Sequence, residues 1–359
     1  KTLLPSDRKP VMKSLHIRDT SDIGACGADT IIDVRSPSEF AEDHIPGAIN
    51  LPVLSDAERI QIGTIYKQVS SFTARKIGAA LVAQNAAGHL TNALADKTGE
   101  WQPLVYCWRG GQRSGSFASI LDQVGWRVQL LDGGYRSYRR LIVDTLYHKP
   151  LCYRIKLIEG GTGTGKTRLL HHLAKAGEQI LDLEGLANHR GSLFGEQAGG
   201  QPSQKMFETR LAQELDGLDP ARLTWIEAES SKVGARIIPG VLWHAMRGAE
   251  RVEIKATLSA RARFLAQAYK DLTENIDRLH RQIDQLRAFH SAATITEWHS
   301  MAKNSEWEGL AAALVSAHYD PRYAKSATQP GQPVKQLALD DLNDETLATV
   351  AQGLSRDFK

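Results

Sequence analysis

Cysteine is scarce in this chain of 359 residues, which contains only Cys26, Cys107 and Cys152. Three cysteines are too few for a disulfide framework, and none of them has the C-x-x-C spacing of a metal site. The composition therefore excludes a disulfide-rich secreted domain. We expect any cysteine with a function to act as a free thiol in a reducing compartment.

Long apolar runs are also missing. The longest stretches, such as residues 310–315, are about a third of the ~18–20 residues that a membrane-spanning helix needs. The first ten residues, KTLLPSDRKP, lack the apolar core of a signal peptide. We therefore expect a cytoplasmic protein with no membrane partner. The length suggests two or three domains.

An excess of one charge is absent from the chain as a whole, because 44 basic and 41 acidic residues nearly cancel. Locally, residues 101–156 contain nine Lys or Arg against three Asp. Such an excess attracts a polyanion, although arginines scattered over a solvated face would give the same count. The last thirty residues lean acidic, and we expect them to form a solvated helical end.

Short β-rich runs alternate with helical patterns through much of the chain. Runs typical of buried strands occupy residues 30–34, 103–107 and 127–131, and again 153–158, 179–182, 223–227 and 252–257. Helical patterns lie between them, for example at residues 74–87, 116–124 and 166–176. This alternation predicts α/β layers with parallel sheets, divided by a linker at residues 148–150.

From about residue 260 the pattern changes to an apolar stripe with spacings of three, four or seven. Its members are Leu265, Leu272, Ile276, Leu279, Ile283 and Leu286. The stripe predicts one long helix. Packing against the protein's own body is the favoured interpretation, and a dimeric coiled coil is the alternative.

The strongest local motif has the form G-x-x-x-x-G-K-[ST] and lies between a predicted strand and a predicted helix. It consists of Gly160, Gly161, Thr162, Gly163, Thr164, Gly165, Lys166 and Thr167. Its glycines allow backbone N–H groups to point at phosphate oxygens, and the helix N-terminus adds its positive dipole end. Lys166 is expected to neutralise the outer phosphate, and the Thr167 hydroxyl to ligate Mg²⁺ if the ion is bound.

Carboxylates stand at the ends of two predicted strands of the same unit. Asp182 and Glu184 follow one strand, and Glu227 and Glu229 follow another. Each is a candidate Mg²⁺ ligand or general base. A solvated strand end is the alternative for each of them, and no metal site is assigned with certainty.

A second motif begins with Cys107 at a strand end and continues into a glycine-rich loop before a helix. The loop residues are Trp108, Arg109, Gly110, Gly111, Gln112 and Arg113. Backbone N–H groups and a helix dipole directed at the sulfur favour the thiolate, which is the nucleophilic form. The sequence therefore predicts that Cys107 is catalytic and accepts sulfur or selenium as a persulfide-type adduct.

Further motifs flank this loop. Residues 33–40 have the form D-x-R-x-x-x-E-F, residues 44–50 read H-I-P-G-A-I-N, and residues 131–135 read L-D-G-G-Y. The set resembles the rhodanese family. We interpret Asp33 and Arg35 as scaffold that ties a strand end to neighbouring loops, and His44 as structural.

A rhodanese-like half joined to a P-loop half resembles the tRNA 2-selenouridine synthase family over essentially the whole chain. Segments beyond the two loops support the resemblance, among them residues 66–68, 74–83, 182–195, 227–230 and 318–323. The predicted fold class is α/β. A rhodanese-like α/β domain (residues 1–147) is followed by a P-loop α/β domain (148–259) with a helical C-terminal extension (260–359) packed on it.

The resemblance implies a transferase that converts wobble 2-thiouridine of tRNA to 2-selenouridine. Its co-substrates would be selenophosphate and geranyl diphosphate, with an S-geranyl-2-thiouridine intermediate, and Mg²⁺ is a candidate cofactor. The implied partners are the tRNA anticodon loop and an enzyme that supplies selenophosphate. Geranyl diphosphate would occupy the P-loop, where N–H groups and Lys166 stabilise the departing diphosphate.

Two alternatives remain. One is a rhodanese-type sulfurtransferase fused to an ATP-dependent P-loop kinase or ATPase. The other is a non-catalytic rhodanese-like adaptor, against which the intact cysteine loop argues.

One RNA must reach both halves, and basic residues near their junction are candidates to hold it. The predicted RNA-binding residues are Arg136, Arg139, Arg140, His189 and Arg190. Phosphate contacts of this kind set affinity and salt dependence but do not read sequence. A solvated helix face is the alternative for the arginines.

Overall fold

The structure, a computed structural model, describes residues 12–326 and 334–358. The first eleven residues, on which the prediction about a signal peptide rests, lie outside this part. The chain divides into two compact units: residues 1–149 with 203–212, and residues 150–202 with 213–359.

A parallel sheet forms the centre of the first unit. Its strands are β1 (Lys13–Leu15), β2 (Thr30–Asp33), β3 (Ala48–Asn50), β4 (Pro103–Tyr106) and β5 (Gln129–Leu131). The helices are α1 (Ser21–Ala25), α2 (Pro37–Glu42), α3 (Asp56–Gln68), α4 (Ser71–Thr91), α5 (Gln112–Val124) and α6 (Gly134–Val143), which continues into a π-helical segment (Asp144–His148). The strand order is β1-β5-β4-β2-β3.

The central strands of this sheet are buried because helices cover them. β4 is fully buried, and β2 pairs with it in a parallel register that places Ile32 opposite Val105. Both side chains belong to a core with Phe117 and Leu121 of α5. This burial on both sides explains the continuous apolar runs in the sequence. It also places the residues that follow β2 and β4 at one edge of the sheet.

The second unit also contains a parallel sheet, in the order β12-β11-β6-β8-β7, and a small antiparallel pair. The strands are β6 (Arg154–Glu159), β7 (Gln179–Leu181), β8 (Leu223–Glu227), β9 (Lys232–Val233), β10 (Arg236–Ile237), β11 (Glu250–Ala256) and β12 (Lys335–Leu339). The helices flanking the sheet are α7 (Lys166–Lys175), α8 (Leu183–Ala187), α9 (Gln204–Asp216, divided between the units), α10 (Gly240–Gly248) and α17 (Asp344–Asp357). The predicted α/β class is confirmed.

A helical group occupies the stretch between β11 and β12. It comprises α11 (Leu258–Ala268), α12 (Lys270–Thr273), α13 (Ile276–Asp284), a 3₁₀ turn (Gln285–Ala288), α14 (Ala292–Lys303), α15 (Trp307–Leu314), a π-helical segment (Val315–Tyr319) and α16 (Asp320–Ser326).

The single long helix predicted from the apolar stripe is wrong. The chain leaves helical geometry at Tyr269, and the Asn275 side chain caps a new helix by accepting from the Arg278 N–H. Leu272 and Leu279 pack with Trp298 in a buried cluster of the same chain. Most of the stripe therefore packs against the protein's own body, as favoured, but over several short helices, and Ile276 is exposed.

The chain ends in a helix as predicted, but the prediction that this end is solvated is wrong. β12 pairs in parallel with β11, and α17 buries Leu347, Ala351 and Leu354 against the sheet. Acidic residues lie in the first turn of α17, where they complement the helix dipole. The domain boundaries at residues 147/148 and 259/260 stay predictions.

Candidate functional site

Cys107 follows β4 directly, at the carboxyl end of a central strand of the first unit. Its side chain is buried, with 3% exposed. The Ser114 hydroxyl, in the first turn of α5, donates to the Cys107 sulfur at 3.1 Å. The sequence did not single out Ser114 as a partner of the sulfur.

Two glycines at the start of α6 lie against the backbone of the cysteine loop. Gly133 and Gly134 have positive φ angles of 69° and 60°. A Cβ on Gly134 would overlap the Cys107 carbonyl oxygen and lie 2.5 Å from the Gly110 nitrogen. The Tyr135 N–H donates to the Cys107 carbonyl at 2.8 Å. The L-D-G-G-Y motif therefore requires glycine because the chain passes directly against the loop.

The two arginines of the loop have different surroundings. Arg113 pairs with Glu39 at 2.7 Å, and Arg59 contacts the same carboxylate at 2.9 Å. Burial would raise the pKa of Glu39, but Arg113 and then Arg59 together hold it below its ordinary value. Arg109 is exposed. Arg113 thus acts as scaffold, and Arg109 has surface available for an anion beside Cys107.

Asp33 and Arg35 form a fully buried ion pair, with an N–O distance of 2.6 Å. The Arg35 guanidinium also donates to the Asp43 carbonyl at 2.6 Å. His44 lies 2.9 Å from the Phe40 carbonyl oxygen through its Nδ1. Asp33 and Arg35 thus tie the end of β2 to the chain at Asp43. The interpretation of His44 as structural stays a prediction.

The predicted RNA-binding arginines of α6 differ in exposure. Arg139 donates to the Glu208 carboxylate and to the Lys205 carbonyl, and its side chain is 17% exposed. Arg136 and Arg140 are exposed. An RNA role stays a prediction for all three. For Arg139, the buried ion pair favours a structural role because little of its surface is left for a phosphate.

The phosphate loop of the second unit connects β6 to α7. Gly163 and Gly165 have positive φ angles of 82° and 77°, which non-glycine residues rarely adopt. The Lys166 ammonium donates to the Gly160 carbonyl at 2.9 Å, folding back over the loop. The predicted residues from Gly160 to Thr167 thus form one loop that opens a helix, as phosphate binding requires.

Helix α11 supports this loop in a way that the motif did not predict. Arg261 donates from Nε to the Thr162 carbonyl at 2.9 Å and forms a two-point ion pair with Asp320 at 2.7 and 3.0 Å. A Cβ on Gly163 would come within 2.8 Å of the Leu265 side chain. The loop conformation therefore depends on the helical group as well as on its own glycines.

The carboxylates predicted at the strand ends do meet beside the phosphate loop. The Thr167 hydroxyl oxygen lies 2.8 Å from both Glu184 and Glu227, and the Glu184 N–H donates to Glu227 at 3.0 Å. One hydroxyl carries one proton, so one of its two contacts needs a proton from a carboxyl group. Glu184 and Glu227 can therefore share a proton with the Thr167 hydroxyl, or bind a cation together with it.

Burial raises the pKa of several members of this cluster. Glu227 is fully buried, and its pKa lies well above the ordinary value because of burial and then the charges of Glu184 and Asp182. Burial and the charge of Glu184 raise the pKa of Glu229 to about 8, although Lys166 opposes this. These oxygen donors are of the type that Mg²⁺ prefers. In residues 12–326 and 334–358, however, no three His, Cys, Asp or Glu side chains form a ready metal site.

His171 is a member of the site that sequence reasoning missed. Its Nε2 lies 2.7 Å from Asp182. Burial would raise the pKa of Asp182, but the hydrogen bonds from His171 and the Gly185 N–H hold it below its ordinary value. His171 follows Thr167 by four residues, so both lie on one face of α7. That spacing was the available signal.

The loop after α8 brings His189 and Arg190 to the same region. Arg190 pairs with Asp271 at 2.8 Å, and its guanidinium lies 4.6 Å from the Tyr269 ring centre. Its second terminal nitrogen, Nη1, is buried and has no hydrogen-bond partner among the described residues, and the same is true of His189 Nδ1. Burial lowers the pKa of His189. Arg190 thus has a donor left for an anion.

A cavity of about 1030 Å³ opens over the phosphate loop and the acidic cluster. Its walls include the aromatic side chains Trp243 and Phe264 and the cationic side chains Arg247 and Arg322. A smaller apolar pocket of about 70 Å³ shares Thr162 and Leu265 with it. The large cavity has room for a diphosphate and for a second reactant beside it.

The helices within the described residues are all too short or too polar to cross a membrane.

Comparison with known proteins gives matches over both units. The family model described as "tRNA 2-selenouridine synthase AAA domain" matches residues 153–277, and the model described as "Rhodanese-like domain" matches residues 20–141. The rhodanese-like and P-loop parts of the predicted fold are thus confirmed.

The curated relatives that carry the name tRNA 2-selenouridine synthase include proteins from three bacteria described below. The Aeromonas salmonicida protein is 37% identical over 70% of this chain and 68% of its own length. The Pseudomonas syringae pv. syringae protein is 32% identical over 82% of this chain and 87% of its own length. The Nitrosomonas europaea protein is 36% identical over 67% of this chain, and that match spans 64% of the relative, slightly less than two thirds.

Proposed function

This chain belongs to the tRNA 2-selenouridine synthase family, and we propose that it converts 2-thiouridine at the wobble position of tRNA to 2-selenouridine. The proposal includes two co-substrates, geranyl diphosphate and selenophosphate. It assigns alkylation of the sulfur to the second unit and supply of selenium to the first.

One observation carries the proposal. A single chain holds a buried thiol with a hydroxyl donor, Cys107 with Ser114, and a separate phosphate loop at a large cavity. The phosphate loop has no cysteine among its residues, and the cysteine loop has no carboxylate cluster. Each loop therefore suits one half of a two-step exchange.

The first step uses the phosphate loop. The sulfur of 2-thiouridine attacks C1 of geranyl diphosphate, and the C1–O bond breaks with its electron pair leaving on the diphosphate. The N3 proton of the base passes to a carboxylate of the acidic cluster. Backbone N–H groups of the loop and Lys166 stabilise the charge that develops on the leaving diphosphate.

Alkylation prepares the base for the second step. A thione sulfur is a poor leaving group, whereas an S-geranyl group can depart as a thiol. A selenide anion attacks C2, the C2–S bond breaks, and the geranyl thiol leaves with a proton. The oxidation level of selenium does not change, so this exchange needs no electron donor or acceptor.

Cys107 supplies the selenide in this account. Its thiolate attacks the phosphorus of selenophosphate, and the P–Se bond breaks with the electron pair leaving on selenium. Water then cleaves the S–P bond, which restores the thiol and releases phosphate. A persulfide-type adduct on Cys107, as the sequence alone predicts, would require a two-electron oxidant, and none is part of this proposal. Exposed Arg109 attracts the selenophosphate anion.

The acidic cluster also suits Mg²⁺ by its donor chemistry, since hydroxyl and carboxylate oxygens are its preferred ligands. Thr167, Glu184 and Glu227 would hold the ion. Bound there, Mg²⁺ would neutralise part of the diphosphate charge.

The tRNA is the macromolecular partner in this proposal, with its anticodon loop as the part that is bound. Phosphate contacts would come from exposed Arg136 and Arg140 and from the exposed part of the Arg190 side chain, which is 25% exposed. A selenophosphate-supplying enzyme would be the second partner.

The test is mass spectrometry of nucleosides from 2-thiouridine tRNA treated with the protein. With geranyl diphosphate and selenophosphate together, we expect 2-selenouridine. With geranyl diphosphate alone, we expect S-geranyl-2-thiouridine. Selenation that proceeds without geranyl diphosphate but requires ATP would support the kinase or ATPase alternative and contradict the proposal.

A further inference from the structure

A small apolar pocket lies in the helical group of the second unit, beside the phosphate loop. Its volume is about 70 Å³. Leucines of α11, α13 and α15 line it, among them Leu265, Leu279 and Leu314. Leu279 and Leu314 belong to the buried cluster of this helical group, so they form its inner side.

This pocket is continuous with the large cavity. Thr162, Leu265 and Tyr269 line both spaces. Thr162 is a residue of the phosphate loop, and Leu265 packs against Gly163 of the same loop. A molecule whose diphosphate lies on the loop can therefore extend directly into the apolar pocket.

The polar groups at the pocket mouth are already satisfied. The Ser192 hydroxyl lies 3.0 Å from the Tyr269 hydroxyl, and burial raises the pKa of Tyr269 to about 12, so it stays neutral. Few polar groups are left to recognise a purine or a sugar. An apolar cavity of this kind stays dry and binds apolar groups.

We infer that this pocket binds the hydrocarbon end of an allylic diphosphate whose diphosphate lies on the phosphate loop, and that Leu279 and Leu314 limit the chain length. The inference rests on the proposed function, which supplies the prenyl class of substrate. It adds the location of the chain and the residues that select its length.

The size of the pocket sets this limit. A pocket of about 70 Å³ is small beside the cavity of about 1030 Å³, so it takes only the end of a hydrocarbon chain. The rest of the chain must then lie along Leu265 and Tyr269 in the wider cavity. A longer chain would meet Leu279 and Leu314, which line the pocket and belong to the buried cluster.

The experiment measures equilibrium binding of dimethylallyl, geranyl and farnesyl diphosphates and of inorganic pyrophosphate to the full chain by calorimetry. For the wild type, we expect geranyl diphosphate to bind at least tenfold tighter than pyrophosphate. Ala311 also lines the pocket. The change Ala311→Phe should fill it and remove that advantage, with pyrophosphate affinity unchanged.

A second variant tests the length limit without filling the pocket. Leu314→Ala should raise farnesyl affinity relative to geranyl affinity at least fivefold. The control is Leu354→Ala, the same change in the separate cluster beneath the sheet, which should leave the chain-length order as in the wild type.

The outcomes separate this inference from the proposed function. If the wild type binds geranyl diphosphate no tighter than pyrophosphate, the proposed prenyl substrate is wrong. If the wild type binds geranyl diphosphate tighter than pyrophosphate, the prenyl substrate stands. The pocket assignment is overturned if Ala311→Phe keeps that advantage and Leu314→Ala keeps the wild-type ratio of farnesyl to geranyl affinity.

Discussion

The loop after β4 and the loop after β6 share one construction: each follows a buried parallel strand, is rich in glycine and opens a helix. They differ in what surrounds them. Cys107 is 3% exposed and contacts Ser114 and the Tyr135 N–H within a closed scaffold. The phosphate loop opens on a cavity of about 1030 Å³.

Because of this difference, the two loops suit different functions although their backbones are built alike. The first loop fixes one nucleophile, which needs rigid support and only a small anion beside it. The second loop has no nucleophile and offers N–H groups and Lys166 to a departing diphosphate. An enzyme that first alkylates a sulfur atom and then displaces it with selenium can therefore use the same type of loop for both steps.

The largest effect on stability is expected for the ion pair beneath the cysteine loop, because it is more deeply buried than the ion pair beside the phosphate loop. Arg35 and Asp33 are 1% and 0% exposed, whereas Arg261 and Asp320 are 10% and 43% exposed. Arg35→Met leaves a buried carboxylate unpaired and should cost about 3–5 kcal/mol of unfolding free energy. Arg261→Met should cost about 1 kcal/mol, because Asp320 stays in contact with water.

Hydrogen exchange of both variants, followed separately for the peptides of each unit, measures these losses. If both variants lost the same unfolding free energy, the difference in burial between the two ion pairs would have no effect on stability.

The next effect concerns the open loop. Lys166→Ala should lower the rate of geranyl transfer by about 10²–10³-fold, because it removes the cation nearest the leaving diphosphate. The matched control is Lys175→Ala, an exposed lysine at the other end of α7. Initial rates of S-geranyl-2-thiouridine formation measure both. A loss below tenfold for Lys166→Ala would mean that backbone N–H groups alone carry the step.

A pH effect should appear in the second unit. His318 is 5% exposed, and burial, followed by the charges of Arg322 and His290, lowers its pKa from 6.5 to about 4. The neutral form is favoured in the fold, so its stabilisation is complete above pH 6.5 and is lost as the pH falls towards 4.

The variant His318→Asn should therefore flatten the loss of stability between pH 6.5 and 4. Urea unfolding across this range is the measurement. An unchanged pH profile in the variant would show that another group causes the acid sensitivity.

The smallest effect concerns the arginines of α6. Exposed Arg140 can contact a phosphate, so Arg140→Ala should lower the slope of log affinity against log salt by about 0.7. Arg139→Ala should instead lower the stability of the first unit, because it removes the cationic partner of the buried Glu208 carboxylate. Titrations of tRNA across a salt series test this. A larger slope change for Arg139→Ala would restore its predicted RNA role.

The sequence was sufficient wherever a motif fixes a loop between a strand and a helix. Cys107 and the residues from Gly160 to Thr167 lie where their patterns predicted, because those patterns encode positive φ angles and helix starts. The contact between Glu184 and Glu227 was also predictable, because both residues lie at the carboxyl ends of parallel strands that are neighbours in the sheet.

Contacts between distant segments were beyond the sequence patterns. Nothing local links Arg261 to the Thr162 carbonyl 99 residues away. β12 is short and flanked by charged residues, so its place in the sheet depends on pairing with β11. The break at Tyr269 was hidden because the apolar stripe continues in register across it, although Asn275 is a recognisable helix cap.

The central claim is that the two loops perform separate steps, and the Cys107→Ala protein tests it most directly. It is incubated with 2-thiouridine tRNA, geranyl diphosphate and selenophosphate, and the wobble nucleoside is measured by mass spectrometry, with Cys26→Ala and Cys152→Ala as controls. The account predicts that S-geranyl-2-thiouridine accumulates and 2-selenouridine is absent for Cys107→Ala, while both controls form 2-selenouridine. Full selenation by Cys107→Ala, or loss of geranylation together with selenation, would contradict it.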